Sequence, residues 1–267
     1  MPQITEILKL FETAALSVGP IILEIYRAGP DIRLKGDRTP VTEADEAAER
    51  MILSALARDL PSIPVIAEEE AAAGRLPDTS GGRFILVDPL DGTREFIGGH
   101  DDFTVNIALI ENGVPIAGVV YAPALGVAYI GAEGAAERLA IGPDFQVTER
   151  RPIRTRLRPP APCALVSRSH NSEATMAFIE EASIHDRRAV GSSLKFCLLA
   201  EGDADIYPRF GRTMEWDTAA GDAVLRAAGG LTETVNGEPL AYGKREQDDA
   251  PFANPNFIAW ADPGKRG

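Results

Sequence analysis

Apolar residues fall at Ile4, Ile7, Leu8, Phe11, Ala14 and Ala15, a spacing that puts them on one helical face, and Ile21, Ile22 and Ile25 resume the stripe beyond Gly19-Pro20. A proline cannot donate the hydrogen bond a helix interior needs, so the pattern predicts a helix kinked or broken at Pro20. Thr42-Glu43-Ala44-Asp45 opens a second helix reaching about residue 59, with Ala48, Met51, Ile52, Ala55 and Leu56 on its buried face. From Phe84 the pattern shortens to FILV, VNIALI, PIAGVVYA and GVAYIG, β-rich runs separated by Gly and Pro that predict antiparallel hairpins. The first of these should stop at Pro89, which has no donor for a ladder.

The polar, Pro-rich stretch 148–162, TERRPIRTRLRPPAP, marks the best boundary, and divides the chain into an N-terminal α+β lobe, 1–155, and a C-terminal α/β lobe, 156–267. Beyond it strand and helix alternate. ALVS reads as a strand, 173–181 and 194–201 as helices, ADIY as a strand, 218–228 as a helix and LTETV as a strand. Such alternation predicts layered α/β architecture.

Charge narrows the partners. The 267 residues carry a formal net charge of -13, with no Lys/Arg run of the kind that makes a basic groove, so no polynucleotide partner is expected. Cys163 and Cys197 stand far apart, and MPQITEILKL mixes charged and apolar residues, unlike a secretory leader; free thiols in a reducing cytoplasm follow. The apolar stretch from Ile116 to Ile130 is interrupted by Pro123 and Gly126 and falls short of the roughly 20 residues a spanning helix needs. A soluble cytoplasmic protein without an integral membrane segment is the expectation.

Candidate chemistry gathers in VDPLDGTREF, where Asp88 and Asp91 stand three residues apart. Each ionised carboxylate raises the cost of ionising the other unless a cation, a proton or strong donors compensate. Glu68 follows the short apolar run PVIA, and Asp217 begins an alanine-rich helix. Four acids at element ends could form an oxygen cage for Mg²⁺, whereas His100, His170, His185 and the cysteines show no zinc-ligand spacing. Plainer roles compete: Asp91 and Asp217 could be helix caps, Glu68 to Glu70 a solvated charge run, and Thr42 with Asp45 a capping box. No P-loop, nucleophile elbow, cysteine-phosphatase loop, aspartyl-phosphate motif or EF-hand is present. A metal and a water remain as the route to phosphate chemistry.

DPLDGT, followed about 130 residues later by WDTAAGDAVLRAAGG and preceded by TPVTEAD and AEEE, resembles the paired signature of the inositol monophosphatase superfamily, lithium-sensitive Mg²⁺-dependent phosphomonoesterases. The resemblance covers nearly the whole chain and implies a layered α-β-α-β-α sandwich. GTREF, SRSH, GSSLKFCLLAEGDADIYPRF and TMEWDTAAG are most similar to the branch of bacterial 3'(2'),5'-bisphosphate nucleotidases. That implies hydrolysis of adenosine 3',5'-bisphosphate to AMP and phosphate in sulfate assimilation. The inositol enzymes' sugar-binding glutamate aligns with Arg209, and a cation there suits a second phosphate better than a polyol hydroxyl.

By the same resemblance, Glu68, Asp88, Asp91, the Leu90 carbonyl and Asp217 would hold two or three Mg²⁺ ions. Gly92 and Thr93 would offer backbone N–H groups to the scissile phosphate. Thr93 and Asp45 would orient and deprotonate the attacking water. Ser167, His170, Lys195 and Arg209 would bind the nucleotide and its 5'-phosphate. Glu95 belongs to the nucleotidase-like pattern. Competing activities are inositol monophosphatase, fructose-1,6-bisphosphatase and a catalytically silent metal- or nucleotide-binding regulator. A monomer or homodimer, with peripheral inner-membrane association left open, completes the expectation.

Overall fold

The computed structural model describes residues 2–36, 39–169, 171–247 and 249–264. Helices α1 (Ile4–Ser17) and α2 (Gly19–Ala28) are followed by a hairpin of β1 (Ile32–Leu34) and β2 (Pro40–Thr42), then α3 (Glu43–Asp59), β3 (Val65–Ala67) and α4 (Glu68–Ala72). Next come β4 (Arg83–Asp91), α5 (Thr93–Ile97), β5 (Thr104–Glu111), β6 (Val114–Ala122), β7 (Val127–Ala132), β8 (Ala135–Ile141) and β9 (Val147–Ile153). The second half contains β10 (Cys163–Ser167), α6 (Glu173–Glu181), β11 (Asp186–Val190), α7 (Leu194–Ala200), β12 (Ile206–Arg209), α8 (Glu215–Ala227), β13 (Leu231–Thr234) and β14 (Phe257–Trp260).

Two large sheets result. One runs β3-β4-β5-β6-β7-β8-β9, antiparallel except for β3 beside β4; the other runs β11-β10-β12-β14-β13 and is mixed. Alternation along the strands sorts the layers. Ile85, Val87, Ile107 and Val119 face a core shared with Ile7, Phe11, Ile22 and Ile52 from α1, α2 and α3. Phe84, Leu86, Ala108 and Val120 face the opposite way, into a core with Phe196 of α7 and Ala220 and Val224 of α8. Leu165, Tyr207 and Phe257 close that core from the second sheet, while Ala164, Val166, Ile206 and Ile258 pack with Ile179 of α6 on the outside. The stack is therefore α-β-α-β-α, with α7 and α8 in the middle layer.

One contact fixes the spacing of the middle layer. Gly118 of β6 and Gly131 of β7 are cross-strand partners. A Cβ on Gly118 would lie 2.6 Å from the Ala220 carbonyl oxygen, and one on Gly131 would lie 2.7 Å from the Val224 Cα. Glycine at both positions lets α8 lie directly on the first sheet.

Several elements differ from the sequence expectation. Strand β4 runs through Pro89 to Asp91, because the register with β5 shifts between Asp88 and Asp91 and the proline sits in that irregularity, where no ladder donor is needed. Strand β9 takes the front of the stretch read as a boundary, as a charged and exposed sheet edge, leaving 154–162 as the crossing coil. Helix α8 begins at Glu215, so Asp217 lies inside its first turn, and the strand read as ADIY is β12, Ile206–Arg209. Met51 is 41% exposed, lying just past the edge of the α3 stripe defined by Ala44, Ala48, Ile52 and Leu56. Pro20 stands in the first turn of α2, where its missing donor costs nothing. Both cysteines are buried free thiols.

Candidate active site

The β4 irregularity makes the centre of the site. Asp88 is buried, and its Oδ1 accepts the Leu90 N–H at 3.0 Å, folding the chain back on itself around Pro89. Gly92 then adopts φ +90°, a left-handed conformation that favours glycine, and α5 begins at Thr93. The Thr93 hydroxyl lies 3.2 Å from both Asp45 Oδ1 and the Leu90 carbonyl oxygen.

Asp45 reaches this point because it sits in the first turn of α3. Its Oδ2 accepts the Thr42 N–H at 2.8 Å and the Thr42 hydroxyl at 2.6 Å, and Thr42 caps the helix through Ala44 N. The plainer capping-box role is thus real, and the other carboxylate oxygen still meets Thr93. Burial pushes the Asp45 carboxyl up to about 6 despite the two Thr42 donors. One turn along, Glu49 accepts the N–H groups of Glu69 at 2.8 Å and Glu70 at 3.0 Å, and so holds the acidic turn of α4. Of that triplet, Glu68 lines the cavity, Glu69 shares Lys35 with it, and Glu70 pairs with Arg75 on the surface.

Asp217 enters from α8, in the second half of the chain. Its Oδ2 accepts the Met214 N–H at 2.8 Å. The start of α8 is clamped by Glu215, which accepts from Gly243 N, Lys244 N and Lys244 Nζ at 2.6, 2.9 and 2.7 Å, and by Asn254, which donates to the Met214 carbonyl at 2.8 Å. Asp88, Asp91, Glu68 and Asp217 line one cavity of about 590 Å³. Burial and then the charges of Glu68, Asp91 and Asp217 push the Asp88 carboxyl well above its usual range. Burial and then Asp91 and Glu68 do the same to Asp217, and Asp91 rises to about 6 by burial, with Lys195 opposing.

These residues fit a hard divalent cation. Acids that raise one another's pKa around a shared cavity are stabilised together by a cation with oxygen preference, and among the described residues each of Asp88, Asp91 and Asp217 meets protein donors through one oxygen only. As they stand, no three carboxylate, imidazole or thiol groups among the described residues are grouped closely enough to hold a metal ion. The Lys35 ammonium bridges Glu68 at 2.5 Å and Glu69 at 2.6 Å.

Cations occupy the facing wall. Lys195 is buried, its ammonium held by the Val190 and Ser192 carbonyls at 3.1 and 2.5 Å and set 5.1 Å from the Tyr207 ring centre. Burial pulls its pKa down to about 8, with Asp91 opposing and Arg209 adding to the fall. Arg209, 8% exposed at the end of β12, donates to the Arg212 carbonyl at 3.1 Å. Ser167 ends β10 on the same cavity; His170 lies outside the described residues. Glu95 does not line up with the carboxylate cluster alone: it accepts the Ser169 hydroxyl at 2.6 Å and ties α5 to the segment that follows β10.

Sequence reasoning missed Lys35, Glu49, Glu215, Asn254 and the pair Asn106–Ser193. Only Glu49 left a local signal, one helical turn after Asp45 in a helix whose apolar stripe it interrupts.

Comparison with known proteins agrees with this geometry. The profile of the inositol monophosphatase family matches residues 3–255. The 3'(2'),5'-bisphosphate nucleotidase CysQ of Escherichia coli K12 is 43% identical over 247 residues, covering 91% of this chain and 95% of that protein. The crystal structure of CysQ from Bacteroides thetaiotaomicron superposes with a TM-score of 0.78 at 35% identity, covering 96% and 97% of the two chains. The IMPase of Thermotoga maritima gives 0.76 at 27% identity, covering 96% and 92%. Fold, acid cluster and sequence likeness together place this chain in the inositol monophosphatase family.

Proposed function

We propose that the protein is a Mg²⁺-dependent phosphomonoesterase of the 3'(2'),5'-bisphosphate nucleotidase type, hydrolysing adenosine 3',5'-bisphosphate to AMP and phosphate. The observation that carries this reading is one cavity lined both by acids, Glu68, Asp88, Asp91 and Asp217, and by the buried cations Lys195 and Arg209. A substrate with two phosphates uses both sets of residues. A polyol monophosphate such as inositol 1-phosphate has no second phosphate for the two buried cations to meet.

Glu68, Asp88, Asp91, Asp217 and the Leu90 carbonyl would hold the Mg²⁺, two or three ions in all. When bound, the metal supplies Lewis acidity toward the scissile phosphate and its leaving oxygen. The chain's own residues do the rest. As the water attacks phosphorus, one of its protons passes to Thr93 Oγ1 while the Thr93 hydroxyl proton passes to Asp45 Oδ1, 3.2 Å away, so Thr93 ends as a hydroxyl and Asp45 holds the proton. The raised pKa of Asp45 suits it to take that proton near neutral pH. Thr42 keeps the carboxylate aimed by engaging only its far oxygen. The Gly92 and Thr93 amides, at the turn where the chain leaves β4, would receive phosphate oxygens. Lys195 and Arg209 bind the 5'-phosphate, and Ser167, which lines the same cavity, contributes to holding the nucleotide.

No helix among the described residues is long and apolar enough to cross a membrane.

Phosphate release from adenosine 3',5'-bisphosphate, inositol 1-phosphate and fructose 1,6-bisphosphate, compared as kcat/KM with Mg²⁺, tests the proposal. A preference of about tenfold or more for the adenosine compound, about 1.4 kcal/mol, is expected. A preference for either of the others overturns the substrate assignment, and no release from any of the three overturns the enzymatic reading.

A further inference from the structure

Asp91 and Lys195 come from different lobes, yet one turn of the second lobe holds both. Ser193, the residue before α7, donates its backbone N–H to Asp91 Oδ2 at 2.6 Å. Its hydroxyl donates to Asn106 Oδ1 at 2.7 Å and lies 3.2 Å from Thr104 Oγ1, both on β5 of the first sheet. Asn106 Nδ2 lies 3.4 Å from the same Asp91 oxygen. Ser193, Asn106 and Thr104 are 2%, 1% and 0% exposed, so this ring of polar groups has no water to fall back on.

The other side of the turn holds the cation. Ser192 adopts φ +47°, a conformation rare for a residue with a side chain, and its carbonyl and that of Val190 receive the Lys195 ammonium. A backbone held there must be over-determined by its surroundings. The Ser193 hydroxyl, anchored on β5, supplies that constraint.

We propose that Ser193 is a positioning residue that couples the two ends of the cavity. Its hydroxyl docks the 191–195 turn on β5, its amide orients Asp91, and the same turn's carbonyls set the Lys195 ammonium. Metal binding at Asp91 and anion binding at Lys195 then favour one turn geometry, and each strengthens the other by the same factor. The inference rests on Asp91 as a metal ligand and Lys195 as a phosphate-binding group.

Titration calorimetry on the full chain tests it, with Mg²⁺ alone, AMP alone and Mg²⁺ in the presence of AMP, for wild type, Ser193→Ala, Ser193→Thr and Asp91→Asn. Wild type should bind Mg²⁺ more tightly when AMP is present. Ser193→Ala should lose about tenfold in Mg²⁺ affinity, the scale of a lost support behind a metal ligand, together with AMP affinity and the mutual enhancement. Ser193→Thr, which keeps the hydroxyl, should restore all three, and thermal unfolding checks that both variants fold. Ser193→Ala with Mg²⁺ and AMP affinities like wild type, or Ser193→Thr no better than Ser193→Ala, overturns the proposal. Asp91→Asn binding Mg²⁺ as wild type does would refute the metal-ligand reading and the coupling with it. Wild type that binds Mg²⁺ normally but no AMP would instead refute the nucleotide reading and, through it, the coupling.

Discussion

Replacing Asp45 by asparagine separates its two roles, because each uses a different oxygen. In Asp45→Asn the amide oxygen can take the place of Oδ2 and keep the bonds from Thr42 N at 2.8 Å and Thr42 Oγ1 at 2.6 Å. The amide nitrogen then faces Thr93 Oγ1, where a carboxylate oxygen stood at 3.2 Å, and a donor there cannot receive the Thr93 proton. Loss of a general base of this kind costs about 10²–10⁴ in rate, or about 2.7–5.4 kcal/mol of barrier. Stability should hardly move: the weaker bond from Thr42 is set against the lower cost of burying a neutral group, for a net effect within about 1 kcal/mol, or a Tm shift below about 4 °C. Thr42→Ala provides the contrast, since it removes the helix cap for about 0.5–2 kcal/mol while leaving the Asp45 carboxylate in place. Phosphate release at saturating Mg²⁺, paired with thermal unfolding, reads both quantities. The reasoning fails if Asp45→Asn keeps more than about a tenth of the wild-type kcat, or if Thr42→Ala loses as much activity as Asp45→Asn, for then Asp45 would act only as a cap.

Arg209→Ala should raise KM for the bisphosphate about tenfold or more while sparing a monophosphate substrate; equal losses on both, measured side by side, would show that Arg209 does not read the second phosphate. Gly118→Ala should destabilise by about 1–3 kcal/mol, because its Cβ would meet the backbone oxygen of Ala220 at 2.6 Å, and an unchanged midpoint in urea unfolding would mean α8 can shift at no cost. Without metal, the protein should lose stability as pH rises from about 4 to about 7. Asp45 and Asp91 at about 6, and Glu49 and Glu69 at about 7, hold protons in the folded state that the unfolded chain has released, so the slope is negative across that window. Mg²⁺ should flatten or reverse it, and chelator-treated protein showing greater stability at pH 7.5 than at pH 5.5 in thermal scans would contradict the burial argument.

Two of the acids were legible in the sequence because they stand where an apolar run ends, as Asp88 follows FILV and Glu68 follows PVIA, while Asp217 stood out at the start of an alanine-rich helix. The family signature implied a common role for them. What could not be read is what holds them. Ser193 and Asn106 are 87 residues apart in the chain, and Glu215 and Lys244 are 29 apart, so their pairing depends on the finished stack of layers. Strand β9 escaped notice for a different reason: an exposed sheet edge alternates charge with charge, VTERRPI, and carries almost no hydrophobic period. The β4 proline misled in the opposite direction, since a ladder irregularity tolerates what a regular ladder forbids.

The glycine pair beneath α8 bears on how substrate arrives. Asp217 rides on a helix from the C-terminal half that lies in backbone contact with Gly118 and Gly131 of the first sheet. Many two-lobed enzymes admit substrate by swinging the lobes apart about a hinge. Here such a swing would tear α8 from the sheet and carry Asp217 away from Asp88 and Asp91 in the same stroke. Traffic into the cavity therefore does not call for parting the layers, and turnover should be insensitive to solvent viscosity to the extent that no large-scale opening accompanies each cycle.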